Sequence, residues 1–382
     1  MRDEILFVGK NTASICTMEG DIGDITREEA LKKAKDGGTV FCLDVPQGIE
    51  FGIDMRTYSV GPQFRGVKMI PPHGFHLITC GNDIEQSGLF IELGPADVCV
   101  MQWDPSVEML CLLKDTEQVG RLTHEVRQME HDRFLGPYPL KTEQQWTGVS
   151  GFITQSVLLR AGIPPGTFIM AGGIDDEALG HNGARQVQPY FDGAARVAQF
   201  VQLDPRQRAQ DSGRTGRELS QFFFDKSEWL GELLAHEYST DASTSPEAEL
   251  LGELQLSFLL FLRLSSLRAL EQWKAGVHLL CACDSAIVTR QSLYVRLLCI
   301  LRAQLALAPP DLFEDALSED NFLRVALASL AERTECQSLT QVFREALAEF
   351  WEFLGGWFGM TPEALRAGAI EDDDEPVVVI TE

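Results

Sequence analysis

Between Thr39 and Trp103 the sequence runs through six short β-type segments: TVFCLDV, IEFGID, GVKMI, FHLITC, GLFIEL and VCVMQW. Gly, Pro or Asn-Asp turns separate them, and they recur about every 8–12 residues, the spacing of an antiparallel sandwich or partly closed barrel. Side chains alternate across a strand, so Phe41, Leu43 and Val45 share a face, as do Leu89, Ile91 and Leu93. One face of each strand is therefore expected to be core. A helix precedes the strands: in TREEALKKAK, Thr26 and Glu29 have the spacing of a capping box.

After Pro105 the period changes. LTHEVRQMEHDRFLG reads as a helix stopped by Gly136-Pro137, and TEQQWTGVSGFITQSVLLRAG as a second that aligns Trp146, Val149, Phe152, Ile153 and Val157. Residues 161–215 are rich in Gly, Pro, Asp and Gln and read as an interdomain connection, with a short strand at VAQFVQL. Long helices follow around Lys226–Tyr238, Glu247–Leu264, Leu267–Cys283, Ala286–Leu307, Asp320–Glu332 and Thr340–Gly355. Thr361-Pro362 starts a last short one, with Thr as the cap and Pro at the first helical position.

These patterns predict an α+β protein of two domains: an N-terminal β-rich, sandwich-like domain with flanking helices, and a C-terminal all-α helical array. The expected boundaries are an N-terminal extension at 1–25, the β-rich domain at 26–160, the connection at 161–215, the helical domain at 216–367 and an acidic tail with a terminal strand at 368–382.

The 382 residues, 45% of them hydrophobic, are enough for two or three cored domains. A formal net charge of -25 opposes binding to bare phosphate backbone and points to a basic protein surface as partner. LKKAK is too short for an import signal. The most apolar stretch, LQLSFLLFLRL, carries Gln and Arg at helical spacing and reads as core, so no membrane partner is expected. No secretory leader is legible, and the nine cysteines lack paired spacing, so reduced thiols inside the cell are expected.

Few residues invite a chemical reading. GPQFRGVK, from Gly61 to Lys68, lacks the Lys-Ser/Thr ending of a phosphate loop and reads as a turn between strands, with Arg65 and Lys68 as notable cations. His73, His76 and Cys80 have a metal-like spacing, but a structural zinc needs a fourth ligand, and alternation puts His73 on the opposite face. Cys281 and Cys283 read as small buried apolar groups. GVSGF is not a nucleophile elbow. His124 and His131, near Glu125, Glu130 and Asp132, fit a solvated helix face better than an acid-base site. No catalytic residue, metal site or cofactor is assigned, and the chain reads as a non-enzyme.

Two segments read better as interaction elements. HEYSTDASTSPEAEL groups Ser239, Thr240, Ser243, Thr244 and Ser245 among acidic residues, a loop with a helix N-cap whose phosphorylation would add repulsive charge. The tail EDDDEPVVVITE ends in Val377, Val378, Val379 and Ile380, suited to adding a strand to another protein's sheet edge.

LDVPQGIEFGIDMRTYSVGPQFRGVKMIPPHGFHL, DRFLGPYPL, LLGELQLSFLLFL, EQWK and LYVRLLCILRAQL together resemble the A1-cistron splicing factor family, over most of residues 38–154 and 216–380. The resemblance implies a non-enzymatic chaperone of U5 snRNP biogenesis on the route to the U4/U6.U5 tri-snRNP. It implies binding to the RNase H-like and Jab/MPN domains of the U5 scaffold, pre-mRNA-processing factor eight, in the U5 snRNP precursor, with the helicase held off. It also implies that the tail, Val377 to Ile380, adds as a strand to that partner. Direct nucleic-acid contact is not expected; residence in cytoplasm and nucleus is. The alternatives are a peptide-binding adaptor using the helical array and a cryptic metal-dependent enzyme around His73 to Cys80.

Overall fold

The alternating segments form two sheets. The computed structural model describes residues 13–14, 26–82, 86–170, 195–206, 216–239, 244–308, 321–335 and 338–365. Strand β1 (Ala13–Ser14) precedes helix α1 (Arg27–Asp36). That helix opens on the predicted capping box: Glu29 N–H donates to Thr26 Oγ1 at 3.2 Å and Thr26 N–H donates to Glu29 Oε2 at 2.9 Å. There follow β2 (Gly38–Leu43), β3 (Glu50–Ile53), β4 (Arg56–Ser59), β5 (Gly66–Ile70), β6 (Phe75–Gly81), β7 (Gln86–Glu92), β8 (Val98–Asp104) and β9 (Met109–Leu112). The shorter β10 (Gly136–Pro137), β11 (Phe168–Met170) and β12 (Ala195–Arg196) complete the set. One sheet has the order β1-β4-β3-β6-β7-β11-β12 and the other β10-β5-β2-β8-β9.

Phe51, Ile53, Ile78, Leu89 and Ile91 of the larger sheet share one core with Val40, Cys42, Val67, Met101 and Leu110 of the smaller. The pairing is not purely antiparallel, because β2 and β8 run parallel with Thr39 opposite Val98. Nor is only one face of β2 buried. Phe41 and Val100 pack with Leu122 of helix α2 (Thr116–Arg127) and with Leu135 in a second core.

Three helical expectations are corrected. Helix α2 stops at Arg127, where Met129 turns to φ 62° and a 3-10 turn at Asp132–Phe134 follows. Gly136-Pro137 is not a helix stop but a strand paired with Val67 and Lys68. The segment through Trp146 breaks at Gly151 into α3 (Glu143–Ser150) and α4 (Gln155–Arg160), the latter capped by Thr154 Oγ1 on Val157 N–H at 3.2 Å. Trp146, Val149, Ile153 and Val157 are buried all the same. In the region read as a connection, Ile169 pairs with Gly88 and extends the larger sheet, while VAQFVQL is not a strand.

The chain divides into two compact units, Met1–Phe200 with Gln255–Leu270, and Val201–Leu254 with Glu271–Glu382. Residues 255–270, read from sequence as part of the helical domain, are thus grouped with the sheets. The helices are α5 (Gly216–Phe224), α6 (Ser227–His236), α7 (Pro246–Leu264), α8 (Leu267–Cys281), α9 (Asp284–Thr289), α10 (Gln291–Leu305), α11 (Phe322–Glu335) and α12 (Gln341–Phe358). Helix α5 lies ahead of Lys226–Tyr238, the first helix of the C-terminal array legible in the sequence, and the predicted Ala286–Leu307 helix breaks at Arg290, whose φ -127° and ψ 44° leave the helical region. Helix α10 buries Leu293, Leu297, Ile300 and Leu301, and its Tyr294 stacks on Phe343 of α12 at 6.1 Å. Trp273 Nε1–H donates to Gln304 Oε1 at 2.9 Å, and Gln304 Nε2–H donates to Leu254 O at 3.3 Å. Among the described residues no helix is long and apolar enough to cross a membrane.

Candidate functional site

The metal-like histidine of the sequence lies at the centre of a closed polar network. Asp54, at φ 50° in the turn from β3 to β4, is fully buried. Its Oδ2 lies 2.7 Å from His76 Nδ1 and accepts from Tyr138 Oη at 2.6 Å, while Oδ1 accepts from Leu77 N–H at 2.9 Å. His76 Nε2 lies 2.8 Å from Pro71 O. A carboxylate and a carbonyl can only accept, so both ring nitrogens carry protons. Burial opposes that charge, but the Asp54 charge and hydrogen bond prevail and raise the His76 pKa. Burial and Asp54 likewise raise that of Tyr138. Trp146 stacks on the imidazole at 6.5 Å and donates to Phe75 O at 3.0 Å.

An imidazolium with both N–H groups engaged offers no lone pair to a metal or a substrate proton. This removes His76 from the ligand set considered with His73 and Cys80. No group of three or more His, Cys, Asp or Glu residues among the described residues could hold a metal. Cys80 is buried, which pushes its thiol up to about 12.

The other candidates resolve similarly. The GPQFRGVK segment is not wholly a turn: Gly66 to Lys68 begin β5, where Lys68 pairs with Asp132 and Gly66 sits at φ 125° with a Cβ that would lie 1.9 Å from Val40 O. That glycine serves strand packing. His131 Nε2 lies 3.0 Å from a Glu125 carboxylate oxygen, and its ring packs on Phe41 at 4.9 Å. Cys281 and Cys283 are buried, and Cys283 Sγ–H donates to Leu279 O at 3.1 Å.

In the Ser/Thr-rich loop, Ser239 is exposed and Thr240 and Ser243 lie outside the described residues. Ser245 Oγ accepts from Ala248 N–H at 3.2 Å, and Thr244 Oγ1 donates to Glu249 Oε1 at 2.7 Å. The two hydroxyls thus differ. A phosphate on Ser245 would meet the positive end of α7, whereas one on Thr244 would lose its donor and face the carboxylate of Glu249.

A cleft of about 620 Å³ between α5, α6 and α9 is lined by Glu218, Gln221, Asp225, Glu228, Thr289 and Arg290 among others. Asp225 is already occupied: Oδ1 accepts from Asp284 N–H at 2.9 Å and Oδ2 from Ser285 Oγ–H at 2.7 Å, capping α9. Burial works against its charge, but bonds from Ser227 and Ser285 hold its carboxyl below the usual range. Neither Asp54, Tyr138 nor Asp225 was singled out by the sequence. Their partners are distant along the chain, and only the unusual turn at Asp54 could have signalled one of them. Val377 to Ile380 lie outside the described residues.

Sheet sandwich, helical array and internally bonded polar clusters define a two-domain α+β protein. A model of the AAR2 N-terminal domain matches residues 36–164, and one of the AAR2 C-terminal repeat region matches 200–360. "Protein AAR2 homolog" from Homo sapiens is 32% identical over 323 residues, covering 76% of this chain and 81% of the relative. The Mus musculus relative of that name is 30% identical over 326 residues, with the same shares, and that of Caenorhabditis elegans 26% over 347 residues, with 85% and 94% covered. The chain belongs to the AAR2 family.

Proposed function

We propose that this chain, a splicing-related AAR2 factor by its family, is a non-enzymatic chaperone of U5 snRNP assembly. It holds the U5 scaffold, pre-mRNA-processing factor eight, through the scaffold's RNase H-like and Jab/MPN domains, and delays the helicase by occupying that surface. The observation that carries the reading is the pair of family matches, one for each half of the chain. The engagement of both His76 nitrogens supports it by weakening the alternative of a metal enzyme. Val377 to Ile380 supply a strand to the partner's sheet, where main-chain bonds give affinity and alternate side chains give register. The five acidic residues at 371–375 meet a basic surface beside that sheet. Phosphorylation in the 239–245 loop weakens the complex, with Thr244 as the disruptive position. The protein works in cytoplasm and nucleus, entering the latter with its partner.

Titration calorimetry against the two-domain scaffold fragment tests this. The full chain is expected to bind, and a chain ending at Glu375 to bind more weakly. Absence of binding by either form would reject the partner; equal affinity would reject the tail's part in it.

A further inference from the structure

Helix α12 has more apolar surface than its packing uses. Phe343, Phe350 and Leu354 face the core, but Trp357 is 66% exposed, the highest value among the exposed large apolar side chains described. Its ring lies 5.7 Å from that of Phe353, which lies 6.1 Å from Phe358. Open space stands where a Cβ of Gly356 would be, so the backbone beside the rings is accessible. An exposed aromatic group with a bare backbone edge suits a short apolar segment, since Trp joins a large contact area to few rotatable bonds.

The chain itself supplies such a segment within reach. Gly359 turns the chain at φ 65°, and Met360 N–H donates to Leu354 O at 3.3 Å. Met360 and Leu365 are buried, so the last described residues are anchored at this end of α12. Val377 lies 377 − 365 = 12 residues beyond Leu365. Twelve residues span at most about 40 Å extended and about 20 Å as a flexible coil; the 18 residues of α12 are about 27 Å long. Acidic residues 371–375 are poor occupants, because Glu345, Glu349 and Glu352 are exposed on the same helix. Pro376 to Ile380 carry no charge.

We propose that Phe353, Trp357 and Phe358 form a seat for the chain's own Pro376–Ile380, an autoinhibitory contact that masks the strand until a partner displaces it. Tethering gives the tail an effective concentration in the millimolar range, so a seat whose dissociation constant lies between that concentration and about a quarter of it holds the tail about half to four-fifths of the time. Displacement by a sheet edge is easy, since the edge adds main-chain hydrogen bonds that a helix surface cannot. The masking role rests on the proposed function; the seat does not.

The test compares the Trp indole N–H resonances of the full chain, a chain ending at Glu375 and the full-length V377D/V379D variant, with Trp357 assigned through W357F. The Trp357 signal is expected to move in both altered chains, and the free peptide PVVVITE at millimolar concentration should restore it in the truncated one. An unchanged signal in all three overturns the seat. So does a signal that shifts with protein concentration, which assigns the surface to a second copy, or one that responds only to added scaffold fragment. W357A should raise scaffold affinity about two- to fivefold, the gain from freeing a tail held that fraction of the time. Loss of scaffold binding on truncation with an unmoved Trp357 rejects the seat alone. A moved Trp357 with unchanged scaffold affinity rejects the tail's role in the proposed function and leaves the seat.

Discussion

Replacing His76 by Ala is expected to be among the most damaging single changes in the first unit. The side chain is 1% exposed and Asp54 is fully buried, so the change leaves a buried carboxylate with only Tyr138 and the Leu77 amide as donors. Removing one partner of a buried ion pair costs about 3–5 kcal/mol. Tyr138→Phe, which removes one donor and keeps the charge pair, should cost about 1–3 kcal/mol. The pH dependence has a definite sign. The folded pKa of His76 lies above its unfolded value of about 6.5, so the contribution is complete below that pH and declines as pH rises through the raised folded value. Hydrogen exchange at the Leu77 amide, bonded to Asp54, reads this locally without assuming that the whole chain unfolds in one step. After correction for intrinsic rates, protection in the wild-type protein should fall with rising pH, while H76A should be less protected by about two to four orders of magnitude and lack that His76 component. Protection that is flat or rising in the wild-type protein, or an H76A effect below about 1 kcal/mol, would refute the charged assignment.

Gly66→Ala should prevent the first unit from folding properly, because the added Cβ meets the Val40 carbonyl across the β2–β5 pairing; an unchanged melting temperature would contradict this. Gln304→Ala should cost about 2–4 kcal/mol by removing its hydrogen bond with the Trp273 indole and leaving a cavity, and less in a Trp273→Phe background, as a double-mutant cycle would show. Thr244→Glu should weaken scaffold binding and Ser245→Glu should not, since only the former sets a new charge against Glu249; equal effects would return the loop to a nonspecific charge explanation.

What was legible in the sequence is what local spacing controls. Alternation gave six of the seven strands between Gly38 and Asp104, and Thr26 with Glu29 gave the first helix boundary; β4 was missed because RTYS buries only Tyr58. The MLCL strand was hidden because four consecutive apolar residues have no period. Helix α2 was overextended because apolar spacing continues past Arg127, although Met129 leaves the helical conformation. FIM at 168–170 gave no sign that it would extend the larger sheet, because its partner, β7, lies some eighty residues earlier. The His76 network was misread for the same reason: Asp54 lies 22 residues before it, and Tyr138 lies 84 residues after Asp54. The exposed aromatic face of α12 was not read from the sequence, although QVFREALAEFWEFLGGWF has more apolar residues than one buried stripe can hold.

The most direct measurement is calorimetric titration of the scaffold's RNase H-like and Jab/MPN fragment with the full chain and with the chain ending at Glu375. The account predicts binding by the full chain and a clear loss of affinity on truncation. Absence of binding by both forms would contradict the chaperone assignment itself.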